Sequence, residues 1–113
     1  MLSKEGYKNL QKLKEGIKST WGEKVHFTIE QELPLPVDAF RIEILVYGKY
    51  KVLVEYEGGT FAYKLWSGAY FEYLDSLVDE KIVYGFKSML QDNIVKNFAI
   101  LDRYLQQKMK EQD

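Results

Sequence analysis

At 113 residues the chain has room for one domain and not for two. A hydrophobic fraction of 46% with 29% charged residues is the balance of a globular protein. The absence of cysteine excludes disulfides, thiolate metal sites and cysteine nucleophiles, and a net charge of -1 argues against non-specific binding to nucleic acid or membrane surfaces. No apolar run approaches the ~20 residues of a membrane helix. Met1 to Lys18 alternates Lys with Leu in helical period and has neither the apolar core nor the cleavage site of a signal peptide, so a cytoplasmic protein is expected.

Ser3 to Thr20 reads as a helix. Tyr7, Leu10, Leu13 and Ile17 recur at three- and four-residue steps on one face, with Ser3 placed to cap the start and Gly22 just past the end. Lys4, Lys8 and Lys12 form an i, i+4 row on the other side. Such a row could touch phosphates, but is more often a solvated helix face. Leu33-Pro34-Leu35-Pro36 is the one linker-like piece, because two prolines favour an extended connection that cannot pair fully.

Four stretches alternate with the period of strands. Val25, Phe27 and Ile29 share a face, as do Phe40, Ile42, Ile44 and Val46, then Val52, Val54 and Tyr56, then Phe61, Tyr63 and Leu65. Residues opposite each other in a ladder share a face, so parity sets the register. A two-residue Gly58-Gly59 turn pairs Tyr56 with Phe61, Val54 with Tyr63 and Val52 with Leu65. A two-residue turn at Gly48-Lys49 would mix faces. A three-residue loop Gly48-Lys49-Tyr50 keeps them apart and pairs Val46 with Val52. The same rule sets Phe27 against Ile44 and Ile29 against Ile42.

After Trp66, a hinge Ser67-Gly68-Ala69 is expected to lead into a short helix over Tyr70 to Asp79. Phe86, Leu90, Ile94, Phe98, Leu101, Leu105 and Met109 then predict a helix of about 25 residues, on the order of 37 Å long, whose last turns project and whose tail Gln106 to Asp113 frays. The expected fold is α+β, a single domain over residues 1–113: an N-terminal helix, a four-stranded antiparallel β-meander, then a short helix and a long C-terminal helix packed on one sheet face. The order helix, antiparallel sheet, helix is similar to the double-stranded-RNA-binding domain. That family opens its last helix with K-K-x-A-K, whereas Ser67-Gly68-Ala69-Tyr70-Phe71-Glu72 stands here and the sheet has one strand too many, so no family is assigned.

The same register places side chains on the outer sheet face. Glu43 and Glu55 become direct neighbours, a close acid pair of the kind that can divide acid and base roles, although Arg41 nearby would make it a solvated charge lattice. His26 is the only histidine; it cannot build a multi-histidine metal site, and Thr28 lies ~6.7 Å along the strand, too far for a tight nucleophile–base bond. Glu72, Asp75 and Asp79 share a side of the expected short helix without the loop spacing of a cation cage. No phosphate-binding glycine motif occurs.

Tyr47, Lys51 and Trp66 in one row, backed by Leu45 and Leu53, make an aromatic and apolar patch with a cation over it. Such patches dock proteins, and can also stack unpaired bases. The expected function is that of a non-catalytic cytosolic binding protein using this face, with an unknown protein partner or a second copy of itself as a homodimer. No cofactor, metal or membrane is implied, and nucleic acid is disfavoured. The competing readings are a small enzyme using Glu43, Glu55 and His26, and a weak single-stranded nucleic-acid binder using Lys4, Lys8, Lys12 and Trp66.

Overall fold

The computed structural model of the protein describes residues 1–112. Its elements follow in order: helix α1 Lys4–Trp21, strands β1 Val25–Leu33, β2 Ala39–Val46, β3 Tyr50–Glu57, β4 Thr60–Trp66 and β5 Phe71–Tyr73, a single-turn helix α2 Leu74–Leu77, and helix α3 Gln91–Gln112. The five strands form one antiparallel meander in sequence order. This is the expected α+β architecture with one strand more than the sequence pattern indicated.

Helix α1 starts as its capping residue dictates. Ser3 Oγ accepts the Gly6 N–H at 2.9 Å and donates to Asp38 Oδ2 at 2.6 Å, while Asp38 Oδ1 accepts the Ser3 N–H at 2.7 Å. One carboxylate thus joins the start of α1 to the β1–β2 loop, and these bonds hold the Asp38 carboxyl below its usual range. Leu10, Leu13, Ile17 and Trp21 form the buried stripe, but Tyr7 lies outside it with its hydroxyl on Glu32 at 3.2 Å. Gly16 sets how closely α1 meets α3, because a Cβ there would stand 2.6 Å from Ile94 Cγ2.

The inner face of the sheet is continuous. Phe40, Ile42, Ile44 and Val46 of β2, Val52, Val54 and Tyr56 of β3, and Phe61, Tyr63 and Leu65 of β4 are all buried against α1 and α3. Aromatic contacts run through it: Phe40 stacks on Tyr56 with ring centres 4.8 Å apart, and Phe98 of α3 meets both Trp21 and Tyr63 edge-on at 5.2 and 5.4 Å. The Gly58-Gly59 hairpin pairs Tyr56, Val54 and Val52 with Phe61, Tyr63 and Leu65, as parity requires. Both glycines have positive φ, and Gly59 also takes Phe86 against its bare Cα.

Four expectations are corrected. First, the β2–β3 loop has three residues, but they are Tyr47-Gly48-Lys49; Val46 pairs with Tyr50 and Ile44 with Val52. Tyr50 is thereby buried on the inner face, and Tyr47 takes the left-handed conformation at φ 57°. Second, a β-bulge at Thr28 sets Ile29 opposite Glu43 instead of Ile42, turning Ile29 outward and Glu30 and Glu32 inward. Third, Ser67-Gly68-Ala69-Tyr70 closes a hairpin and not a helix start. Ser67 N–H donates to Tyr70 O at 2.9 Å, and Phe71–Tyr73 pairs with β4 as β5. Fourth, α3 begins at Gln91, so Phe86 and Leu90 are exposed while Ser88 and Met89 are buried in their place. Ser88 Oγ accepts the Phe61 N–H at 3.2 Å, which explains the buried polar position.

The end of α3 stays on the body: Gln112 accepts from Lys49 and from the Tyr50 hydroxyl. Asp113 lies outside the described residues. Among the described residues, no helix is long and apolar enough to cross a membrane.

Two buried polar side chains differ in how they are satisfied. Asn97 holds the segment before the 3₁₀ turn Gly85–Met89 by donating to Val83 O and accepting from Val83 N, each at 3.0 Å. The neighbouring Tyr63 hydroxyl is fully buried and makes no hydrogen bond; burial pushes its pKa up to about 12. Tyr63→Phe should therefore leave stability unchanged or raise it by about 1 kcal/mol, whereas Phe98→Ala should cost about 3–5 kcal/mol, both read from urea unfolding.

Candidate interaction surface

Because α1 and α3 cover one side, the other side of the sheet carries no second layer of helix or strand among the described residues. Pairing fixes the rows across it. His26, Leu45, Lys51, Trp66 and Phe71 form one; Ile29, Glu43, Leu53, Lys64 and Tyr73 form the next; Gln31, Arg41, Glu55 and Ala62 follow. The one-position shift of the β2–β3 loop moves every residue of β1 and β2 relative to β3, so Leu53 lies beside Glu43 and Lys51 beside Leu45.

The aromatic end is assembled by the β4–β5 hairpin. Phe71 sits opposite Trp66 and meets it edge-on with ring centres 5.0 Å apart. Lys51 Nζ lies 5.1 Å from the Trp66 ring centre, and Lys64 Nζ lies 4.8 Å from that of Tyr73. Lys64 also pairs with Glu55 at 2.6 Å, and that hydrogen bond, opposed by partial burial, holds the ammonium above its usual pKa range. Leu53 is only 5% exposed, with the long side chains of Glu43 and Lys64 flanking it across both ladders. Trp66 and Tyr73 are 37% and 51% exposed.

Of the five residues singled out from sequence, Trp66, Lys51, Leu53 and Leu45 lie together here. Tyr47 does not. It turns off the sheet in the β2–β3 loop, and its hydroxyl donates to Asp102 Oδ1 of α3 at 2.5 Å. Asp102 also accepts the Trp21 indole N–H at 2.8 Å and the Gln106 amide at 2.7 Å, so this carboxylate ties α1, α3 and the loop together. Phe71 and Tyr73 are the members that sequence reasoning missed, because it read Tyr70 to Asp79 as helix.

The acid pair is not assembled. Glu43 faces Leu53 and accepts from Thr28 Oγ1 at 2.9 Å, while Glu55 faces Arg41 and is paired with Lys64. His26 is exposed on the outer face opposite Leu45. Glu72 lies in β5 and Asp75 in α2, so these two do not share a helix side with Asp79; Asp75 accepts the Tyr84 hydroxyl at 2.9 Å. Lys4 and Lys8 are exposed on α1 and Lys12 reaches Met89 O at 3.5 Å, which places the lysine row on the opposite side of the sheet from Trp66. Comparison with known families, curated proteins and solved structures returned no match.

Burial first, then the Asp102 hydrogen bond, then its charge raise the Tyr47 pKa to about 12. The folded value exceeds the unfolded value near 10, so this contribution to stability is complete below pH 10 and is lost as pH rises toward 12. Tyr47→Phe should lower stability at neutral pH by about 1–2 kcal/mol, since it removes a hydrogen bond to a carboxylate. Its denaturation midpoint should also fall less steeply between pH 10 and 12 than that of the wild type, measured by urea unfolding across that range.

Proposed function

We propose that the protein is a non-catalytic, cytoplasmic binding protein that docks another protein on the outer face of its sheet, with self-association as the simplest case. The observation that supports this reading is the uncovered face itself: Trp66, Phe71 and Tyr73 clustered beside Leu53 and Leu45, with Lys51 and Lys64 over the rings. Aromatic residues presented on rigid strands lose little side-chain freedom on docking, and a ring stripped of water beside a cation is the usual anchor of a protein interface. Sheet pairing holds this group in register on four adjacent strands. A homodimer on this face would bury the same residues from both copies. The enzyme reading loses its support, because Glu43 and Glu55 are separated and each already has a partner. The nucleic-acid reading required the lysine row and Trp66 on one surface, and they lie on opposite sides of the sheet.

Sedimentation velocity over a broad concentration range, with and without cell extract, tests the proposal. Trp66→Ala should weaken association about tenfold or more, a hot-spot loss of about 1.4 kcal/mol, while shifting the melting temperature by no more than about 3 °C. Unfolding of Trp66→Ala would show the ring to be part of the core, and unchanged association would remove it from any interface.

A further inference from the structure

The outer face is one unpartnered surface; the free edge of β1 is another, and the sheet's two edges are not alike. At one side β5 offers three residues before the chain turns into α2. At the other, β1 runs for nine residues and pairs only with β2, leaving its second row of backbone N–H and C=O groups open. Long edges are usually protected by lysine, by shortness or by cover. From Val25 to Asp38 there is no Lys or Arg. The strand and the loop after it expose Phe27, Ile29, Leu33, Leu35 and Val37, five of the large hydrophobic side chains that face solvent.

The Thr28 bulge divides the edge. Thr28 Oγ1 is held by Glu43, and Pro34 has no N–H to donate, so the regular run available for pairing is Ile29 to Leu33. In that run Ile29, Gln31 and Leu33 face outward, and Glu30 and Glu32 face the helix side. Lys14 of α1 pairs with Glu30 at 2.8 Å; Glu32 has no cation partner among the described residues and accepts only from the Tyr7 hydroxyl. A cleft of about 250 Å³ lined by Lys14, Lys18, Phe27 and Glu30 opens beside the strand on the same side. On the outer side, Arg41 stands one strand in, opposite Gln31.

We propose that the β1 edge from Ile29 to Leu33 binds an extended segment of a partner protein by strand addition, and that the segment carries basic residues in alternation with apolar ones. Backbone hydrogen bonds would supply affinity, and alternate side chains would supply selectivity. Opposite Ile29 and Leu33 the added strand would present apolar groups. Opposite Glu30 and Glu32 it would present Lys or Arg, completing the ion pair that Glu32 lacks. Charge decides against a second copy at this edge. The two-fold pairing that sets Ile29 beside Leu33 of another molecule also sets Glu30 beside Glu32, and like charges directly opposite are destabilising. The site is separate from the outer-face patch and takes a different occupant.

The probe is a fluorescent peptide with the core Val-Lys-Thr-Lys-Val, palindromic so that either strand direction fits, titrated with the full chain at low salt. Controls replace both lysines by glutamate, or N-methylate one or the other alternate set of backbone nitrogens. The lysine peptide should bind at least about tenfold more tightly than the glutamate peptide, as two charge-assisted contacts imply. One methylated set should lose binding and the other keep it, because alternate N–H groups of a strand point to opposite sides. Glu32→Lys should weaken the lysine peptide by about tenfold or more, and Trp66→Ala should leave its affinity unchanged. Equal affinity of the two methylated peptides, equal affinity of the lysine and glutamate peptides, or no binding at millimolar concentration would overturn the proposal. The effect of Trp66→Ala on association is read separately, so either surface can fail without the other.

Discussion

The constraint on which the structure depends is that the apolar side of the meander must be covered, and that both long helices do the covering. Burying eleven large side chains from β2, β3 and β4 needs a layer as broad as the sheet. Gly16 lets α1 approach α3 closely enough to make that layer continuous. Because both helices are committed to one side, the other side of the sheet is left to water. The outer-face patch and the open β1 edge are therefore consequences of the same packing choice.

Polar groups hold the cover in place at both ends. At one end Asp38 accepts from the N–H and hydroxyl of the capping residue Ser3 and binds the start of α1 to the β1–β2 loop. At the other, Asp102 gathers Trp21, Tyr47 and Gln106. Partly buried carboxylates that receive several donors fix orientation more firmly than apolar contacts, which tolerate sliding. The two carboxylates thus set how α1 and α3 lie across the sheet.

The inner face was legible in the sequence because side-chain alternation has a period of two and survives errors of loop placement. Parity alone gave the Gly58-Gly59 register and the odd length of the β2–β3 loop. It could not give the loop's position, since moving a three-residue loop by one residue keeps every face and changes every neighbour. The false Glu43–Glu55 pair came from that shift, and so did the placing of Tyr47 on the sheet. The position is set by long-range contacts invisible to local pattern: Tyr50 burying its ring and Tyr47 reaching Asp102, 55 residues away. The bulge at Thr28 was equally hidden, because Val25, Phe27 and Ile29 alternate as though unbroken. Strand β5 did leave a signal. Phe71 and Tyr73 flank Glu72 with strand alternation, and Ser67-Gly68 is a turn pair, but the apolar spacing of Tyr70, Tyr73, Leu74 and Leu77 also fits a helix. Phe86 and Leu90 fit the helical period of α3 as well, and were excluded from it by the Ser88 contact to β4.

The proposed function requires the outer face to be open in the lone molecule and closed in a complex. Hydroxyl-radical footprinting measures this residue by residue. In dilute protein Trp66 and Tyr73 should be modified readily while Tyr63 and Phe98 stay protected. With a partner, or at concentrations where the protein self-associates, protection should appear at Trp66, Phe71 and Tyr73 and leave Phe86 reactive. Protection of Trp66 already present in the dilute monomer, or a complex in which Trp66 and Tyr73 stay as reactive as before, would contradict it.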